Sequence, residues 1–281
     1  MTILRKERLR RAWGPRAQLP LDSIFDETTR VLQEAGQRGI NLKLFGGMAI
    51  YKMCESSKKP QLTRRYMDID LMGRSKQAPA VRKMFVDLGY VPRTRFNAMY
   101  GDRRLIYNDA DHDRRIDVFL DWFEMCHKID MRNRLGLDGV AIPLADMLLT
   151  KLQIVEINEK DLKDLTCILS DYEVGATDDR QVNGSYIAKL CADDWGIWRT
   201  VTGNLDRLSA FVPGVLGGDG EVVTSRTAKL KGLIEAAPKS FRWKVRARVG
   251  ERAVWYELPE ADKEIVDSRV PEALPPDPAK L

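Results

Sequence analysis

"RRYMDIDLMG", residues 64–73, sets two carboxylates, Asp68 and Asp70, one residue apart inside an otherwise apolar run. The neighbours Met67, Ile69, Leu71 and Met72 predict a strand that is mostly buried. Side chains of a strand alternate between its faces, so Asp68 and Asp70 share one face while Met67, Ile69 and Leu71 share the other. Two carboxylates about 5 Å apart, at an effective dielectric of about 20, repel by roughly 3 kcal/mol. Something positive must offset that repulsion: a metal ion, or a basic side chain such as Arg64 or Arg65.

Working outward, residues 21–39 predict a helix with Leu21, Ile24, Phe25, Val31 and Leu32 on its apolar face, Asp22 as N-cap and Gly36 or Gly39 as its stop. "INLKLF" (40–45) is a short strand running into "GGMAIYKMCESS" (46–57), a tight turn that enters a helix. Residues 77–90 predict a helix with Pro79 near its start and Gly89 at its end. Residues 98–108 and 114–123 predict two strands joined by the turn "DADHD". From Pro143 the pattern becomes helical, and beyond about residue 175 strands largely stop. The expected organisation is a basic flexible arm (1–19), an α/β core (20–142), a helical domain (143–268) and a disordered proline-rich tail (269–281).

Bulk composition agrees with a globular chain. The 281 residues allow an ample core, and the formal charge of +5 is compatible with nucleotide or RNA partners. No apolar run reaches membrane-spanning length, and the basic N-terminus lacks the apolar block of a signal peptide. Cys54, Cys126, Cys167 and Cys191 form no Cys-x-x-Cys pair, which argues against a zinc ribbon and fits a reducing cytoplasm.

Three further features accompany the aspartate pair. In "LFGGMA" (44–49), Gly46 and Gly47 lead a strand into a helix, where backbone N–H groups and the helix terminus can meet phosphate oxygens; an ordinary strand-to-helix turn has the same look. In "RRIDVFL", Asp117 stands inside another apolar strand. If that strand pairs beside the first, three carboxylates converge, a donor set suited to Mg²⁺; Asp121 is a rival for the third position. In "KLQIVEINEKDLKDL", Lys151 and Asn158 fall on one helical face, where Lys151 can neutralise phosphates; Lys160 and Asp164 read equally as a surface i,i+4 pair.

Gly-Gly, then Asp-Ile-Asp, then Ile-Asp-Val, then a helical Lys: over residues 21–172 this order resembles the DNA polymerase β-like nucleotidyltransferase superfamily. Within it, the closest resemblance is to the abortive-infection and type IV toxin–antitoxin nucleotidyltransferases. The resemblance implies an α+β fold, with a nucleotidyltransferase-type mixed sheet flanked by helices and a helical C-terminal domain. It implies a Mg²⁺-dependent transfer of a nucleoside monophosphate from an NTP to an acceptor hydroxyl, on RNA or tRNA, a protein or a small molecule. Two ions are implied, with Mn²⁺ as the alternative metal. Asp68, Asp70 and Asp117 would be catalytic and metal-binding. Gly46, Gly47, Arg64, Lys151 and Asp161 would contact the nucleotide, and an antitoxin would be a partner. Two positions depart from the pattern, Tyr66 for a Ser or Thr and Asn158 for an Arg. A degenerate member that only binds nucleotide or RNA is one alternative. The other is an interaction protein whose aspartates pair with Arg64, Arg65 or Arg115, and it predicts guanidinium groups inside the carboxylate cluster.

Other motifs carry less. "DADHD" lacks the glycine and glutamate of a calcium loop, having Arg114 and Leu120 there, and "GVLGGDG" (214–220) lacks the end of a P-loop. His112 and His127 neighbour no nucleophile motif. "KSFRWKVRARVGERAVWY" interleaves six basic residues with Phe241, Trp243 and Trp255, a pattern that suits RNA or the packed face of a helix.

Overall fold

The computed structural model describes residues 19–109 and 111–257. The arm read over 1–19 lies outside these residues apart from Leu19, and the tail read over 269–281 lies wholly outside them. The protein is mixed α+β, with a small mixed sheet flanked by helices and a long helical C-terminal region.

Five strands build the sheet: β1 (Lys43–Phe45), β2 (Asp68–Gly73), β3 (Val91–Pro92), β4 (Arg104–Asp109) and β5 (Arg114–Leu120), in the order β1-β2-β5-β4-β3. β2 and β5 run parallel and every other neighbouring pair is antiparallel. Ile69, Leu71, Leu105, Tyr107, Ile116 and Val118 alternate onto one face and are fully buried. Tyr107 stacks on Phe85, with 4.7 Å between ring centroids, so helix α3 (Ala78–Asp87) covers that face.

Helix α1 (Ile24–Gln37) forms where the sequence predicts it, but its N-cap is Ser23. Asp22, expected in that role, instead meets His112 across the fold. The strand expected from residue 98 begins at Arg104, because Ala98–Tyr100 finish helix α4 (Thr94–Tyr100). The strand expected through Phe123 stops at Leu120. Asp121 has φ +61°, which ends the extended run, and the chain turns into the hairpin β6 (Trp122–Glu124) and β7 (Lys128–Asp130). Asp121 is thereby drawn to Ser75 and away from the third carboxylate position.

Residues 140–142 run beside β1, with Leu44 N–H donating to Val140 O at 2.9 Å and Ile142 N–H to Leu44 O at 3.0 Å. This edge launches helix α5 (Leu144–Leu152). The helical run expected from Leu144 to Tyr172 is two helices. Asn158 side-chain oxygen accepts from the N–H groups of Lys160 and Asp161 and so caps a new helix, α6 (Glu159–Asp171). Asn158 therefore does not share a helical face with Lys151. The short pair β8 (Val174–Gly175) and β9 (Val182–Asn183) leads to α7 (Gly184–Asp193), α8 (Trp195–Leu216), α9 (Glu221–Ala236) and α10 (Phe241–Val249). The break between α7 and α8 is again a cap, Asp194, which accepts from Ile197 N–H at 3.0 Å. One buried apolar cluster runs from Val31 in α1 to Ile234 in α9.

Candidate functional site

Strand register brings the acidic residues together. Asp70 lies opposite Asp117 across the parallel β2–β5 pair, and Asp68 lies opposite Arg115. Because the side-chain period is two, Asp68, Asp70, Arg115, Asp117 and Phe119 project from one face. Asp117 is buried and Asp70 is half-buried, while the Asp68 side chain is about half exposed at 48%.

The three carboxylates have different partners. Both oxygens of Asp117 accept from Arg104: Nε donates to Oδ1 at 2.7 Å and Nη2 donates to Oδ2. Arg115 Nη2 stands 3.8 Å from Asp117 and 4.0 Å from Asp68. Among the described residues, Asp70 makes no hydrogen bond or ion pair within normal range. Burial pushes the Asp70 carboxyl up, the Asp117 and Asp68 carboxylates add to the rise, and its pKa reaches about 7.

Helix α2 (Gly46–Met53) begins directly beneath Asp70. Gly46 has φ +66°, and a Cβ there would lie 2.0 Å from Asp70 Oδ2. A Cβ on Gly47 would lie 2.3 Å from Arg64 Nη2. The two glycines thus make room for Asp70 and Arg64, the protein's own charged groups. Gly47 also borders the open cleft.

Helices α5 and α6 supply the opposite wall. Lys151 Nζ contacts Asp161 Oδ1 at 2.9 Å and Asp164 Oδ2 at 3.0 Å. Burial opposes the Lys151 charge, but Asp164 and Asp161 more than offset it and raise its pKa. Arg64 holds Asp164 by a two-point bond, Nε to Oδ1 and Nη2 to Oδ2, each 2.9 Å, and its guanidinium lies 4.6 Å from the Tyr66 ring centroid. Tyr66, one of the two departures from the sequence pattern, is therefore the stacking partner of Arg64.

A cleft of about 180 Å³ lies between these walls, lined by Gly47, Arg64, Tyr66, Met67, Asp68, Asp70, Lys151, Asn158, Lys160 and Asp161. It gathers six of the eight residues singled out in the sequence. Gly46 and Asp117 stand behind it, against Asp70. Two members were not legible. Asp164 reads as half of a surface pair with Lys160, yet it is buried and holds both Arg64 and Lys151. Arg104 lies thirteen residues before Asp117, a separation with no motif, and only the β4–β5 hairpin brings the two together.

Among the described residues no three His, Cys, Asp or Glu side chains are grouped to hold a metal ion. Asp68 and Asp70 fit a hard cation such as Mg²⁺, since both offer carboxylate oxygens at the cleft. Both oxygens of Asp117 already accept a hydrogen bond from Arg104. The basic C-terminal segment is also sorted by the fold. Trp243 packs edge-on to Trp198 and Trp255 to Trp195, leaving Phe241 as the fully exposed aromatic, at 83%. No helix among the described residues is long and apolar enough to cross a membrane. No protein-family model matches the chain, and no curated protein matches it significantly.

Proposed function

We propose that this cleft is the active site of a Mg²⁺-dependent nucleotidyltransferase. The observation that carries the reading is the register of β2 and β5, which aligns Asp70 with Asp117 and puts Asp68 on the same face, beside the Gly46–Gly47 turn. The order of these features along the chain resembles that of the polymerase β-like nucleotidyltransferases. In the reaction, an acceptor hydroxyl oxygen attacks the α-phosphorus of an NTP. A new O–P bond forms, the bond to pyrophosphate breaks, and the hydroxyl proton leaves to solvent. The metal supplies neutralisation of the charge that develops on the phosphoryl oxygens. Asp68 and Asp70 are the residues that would hold it. Arg64, Lys151 and Lys160 give the cleft its positive charge, and Asp161 and Asp164 hold Lys151 in place. RNA, including tRNA, is the acceptor class favoured by the exposed basic residues Arg242, Lys244 and Arg248 of α10. An antitoxin partner and a cytoplasmic location belong to the same reading, through the toxin–antitoxin branch of the family.

One observation favours a second reading. The closed Arg104–Asp117 pair fits a degenerate member of the fold that binds nucleotide or RNA without turnover. Thermal unfolding with and without Mg²⁺ and each NTP, on the native chain and on Asp68→Asn/Asp70→Asn, separates the cases. A ligand at a hundred times its dissociation constant adds about 2.7 kcal/mol. A shift that needs both metal and NTP and vanishes in the variant, with pyrophosphate released when RNA is added, supports the transferase. The same shift without pyrophosphate supports the degenerate member. No shift in the native chain overturns the transferase and leaves, of the second reading, only a member that binds RNA.

A further inference from the structure

We propose that Arg104 competes with a divalent cation for Asp117. On this view the resting protein takes one ion, at Asp68 and Asp70, and a second enters only by displacing Arg104. The inference rests on the metal-site reading above and concerns its stoichiometry, for which the sequence resemblance implies two ions without saying how the second is admitted.

Arg104 is held where a second ion would compete for ligands. It sits opposite Phe119 in the β4–β5 register, so its side chain reaches diagonally to Asp117, two residues earlier on β5. Nε reaches one carboxylate oxygen at 2.7 Å and Nη2 reaches the other, a fork-on-fork contact that uses the favoured lone pairs of both. The guanidinium carbon lies 4.4 Å from the Phe119 ring centroid, and Nη1 donates to Met125 Sδ at 3.6 Å. Arg104 and Asp117 side chains are 5% and 1% exposed. Water therefore cannot take over either charge if the pair opens, and a buried charge stripped of its partner is strongly disfavoured.

Arg115 is a different kind of neighbour. It is a second arginine beside these carboxylates, but its contacts are 3.8 and 4.0 Å long and its side chain is 37% exposed. It can swing into water at little cost. Asp68 and Asp70 are consequently open to an ion, whereas Asp117 is closed by a cation that belongs to the protein.

The test counts bound ions on the full-length protein. After chelator treatment the chain is titrated with MnCl₂ in the absence of nucleotide, and free Mn²⁺ is read by electron paramagnetic resonance. The native chain is expected to bind one ion, and Arg104→Gln two. Arg104→Gln/Asp117→Asn is expected to return to one, and Asp68→Asn/Asp70→Asn to bind none. Two ions on the native chain, or one on a folded Arg104→Gln, overturn the proposal and leave the metal-site reading standing. No ion on any of these proteins overturns that reading and the proposal with it. If Arg104→Gln does not fold, Arg104→Met, which carries neither charge nor donor, replaces it with the same expected gain. The native count of one against two decides independently of either variant.

Discussion

Two acidic clusters in this protein look alike in composition and differ in how their charges are paired. At the junction between the sheet-bearing half and the helices, Arg134 binds Asp146 through Nε at 2.7 Å and Asp178 through Nη1 and Nη2, and its guanidinium lies 4.1 Å from the Tyr186 ring centroid. In the cleft, Arg104 satisfies Asp117, while Arg115 only approaches Asp68 and Asp70 is left without an ion-pair partner among the described residues. Both clusters contain a carboxyl with a raised pKa, about 6 for Asp146 and about 7 for Asp70. The causes separate them. Burial raises Asp146 and its arginine pulls it back, whereas burial raises Asp70, the Asp117 and Asp68 carboxylates push it further, and Lys151 and Arg115 oppose them less. A raised carboxyl pKa alone does not mark a site; a carboxyl that faces a cleft without an ion-pair partner does.

The largest expected effect tests the structural side of that contrast. Arg134→Met strips two carboxylates of a buried partner and should cost about 3–5 kcal/mol in urea unfolding, with no change in Mn²⁺ binding by the surviving folded protein. A cost near zero would show that the junction cluster is not what joins the halves.

Gly46→Ala sharpens the cleft side. The substitution meets both a positive φ and the Asp70 carboxylate, so it should destabilise by about 2–4 kcal/mol. Combining it with Asp70→Ala should recover the part due to the clash, which a double-mutant cycle reads directly.

Asp70→Asn should do the opposite of an ordinary buried mutation. The folded carboxyl titrates near pH 7, above the unfolded value of about 3.9, so its contribution is present below pH 4 and lost as pH rises through 7. Without divalent ions, the variant should therefore be more stable than the native chain by about 2 kcal/mol at pH 8, allowing for partial exposure, and no different at pH 4. Mg²⁺ should reverse the order at pH 8. A variant less stable than the native chain in chelator would break the contrast between the clusters.

His127 provides a comparably small effect away from both clusters. Burial depresses its imidazole to about 4, partly opposed by Asp194, and its Nε2 pairs with Thr200 Oγ1 at 2.8 Å. Between pH 6.5 and 4 the unfolded chain takes up a proton that the folded chain refuses, so stability falls as pH drops through that window. Going from pH 7 to 5 should cost the native chain about 2 kcal/mol more than it costs His127→Gln. Equal losses would mean that the ring is protonated in the fold.

What could be read in advance followed local periodicity. The alternation around Asp68, Asp70 and Asp117 placed all three on strands, and the 3.6-residue pattern found α1 and α3. Side-chain caps were less legible. Asn158 splits the helical pattern that follows Pro143 into two helices, since a cap acts through local hydrogen bonds that periodicity does not register.

That two aspartates share a strand face and that a glycine pair precedes a helix could be read from the residues alone, because strand alternation and glycine's missing Cβ are local properties. Which charges neutralise which was decided only by the tertiary structure. The pairing of β4 with β5 brings Arg104 to Asp117, and the packing of α6 beneath Arg64 turns Asp164 from a surface residue into the anchor of two cations. Coulomb energy depends on distance and on the surrounding medium, and both are set by contacts between residues as far apart as Arg64 and Asp164.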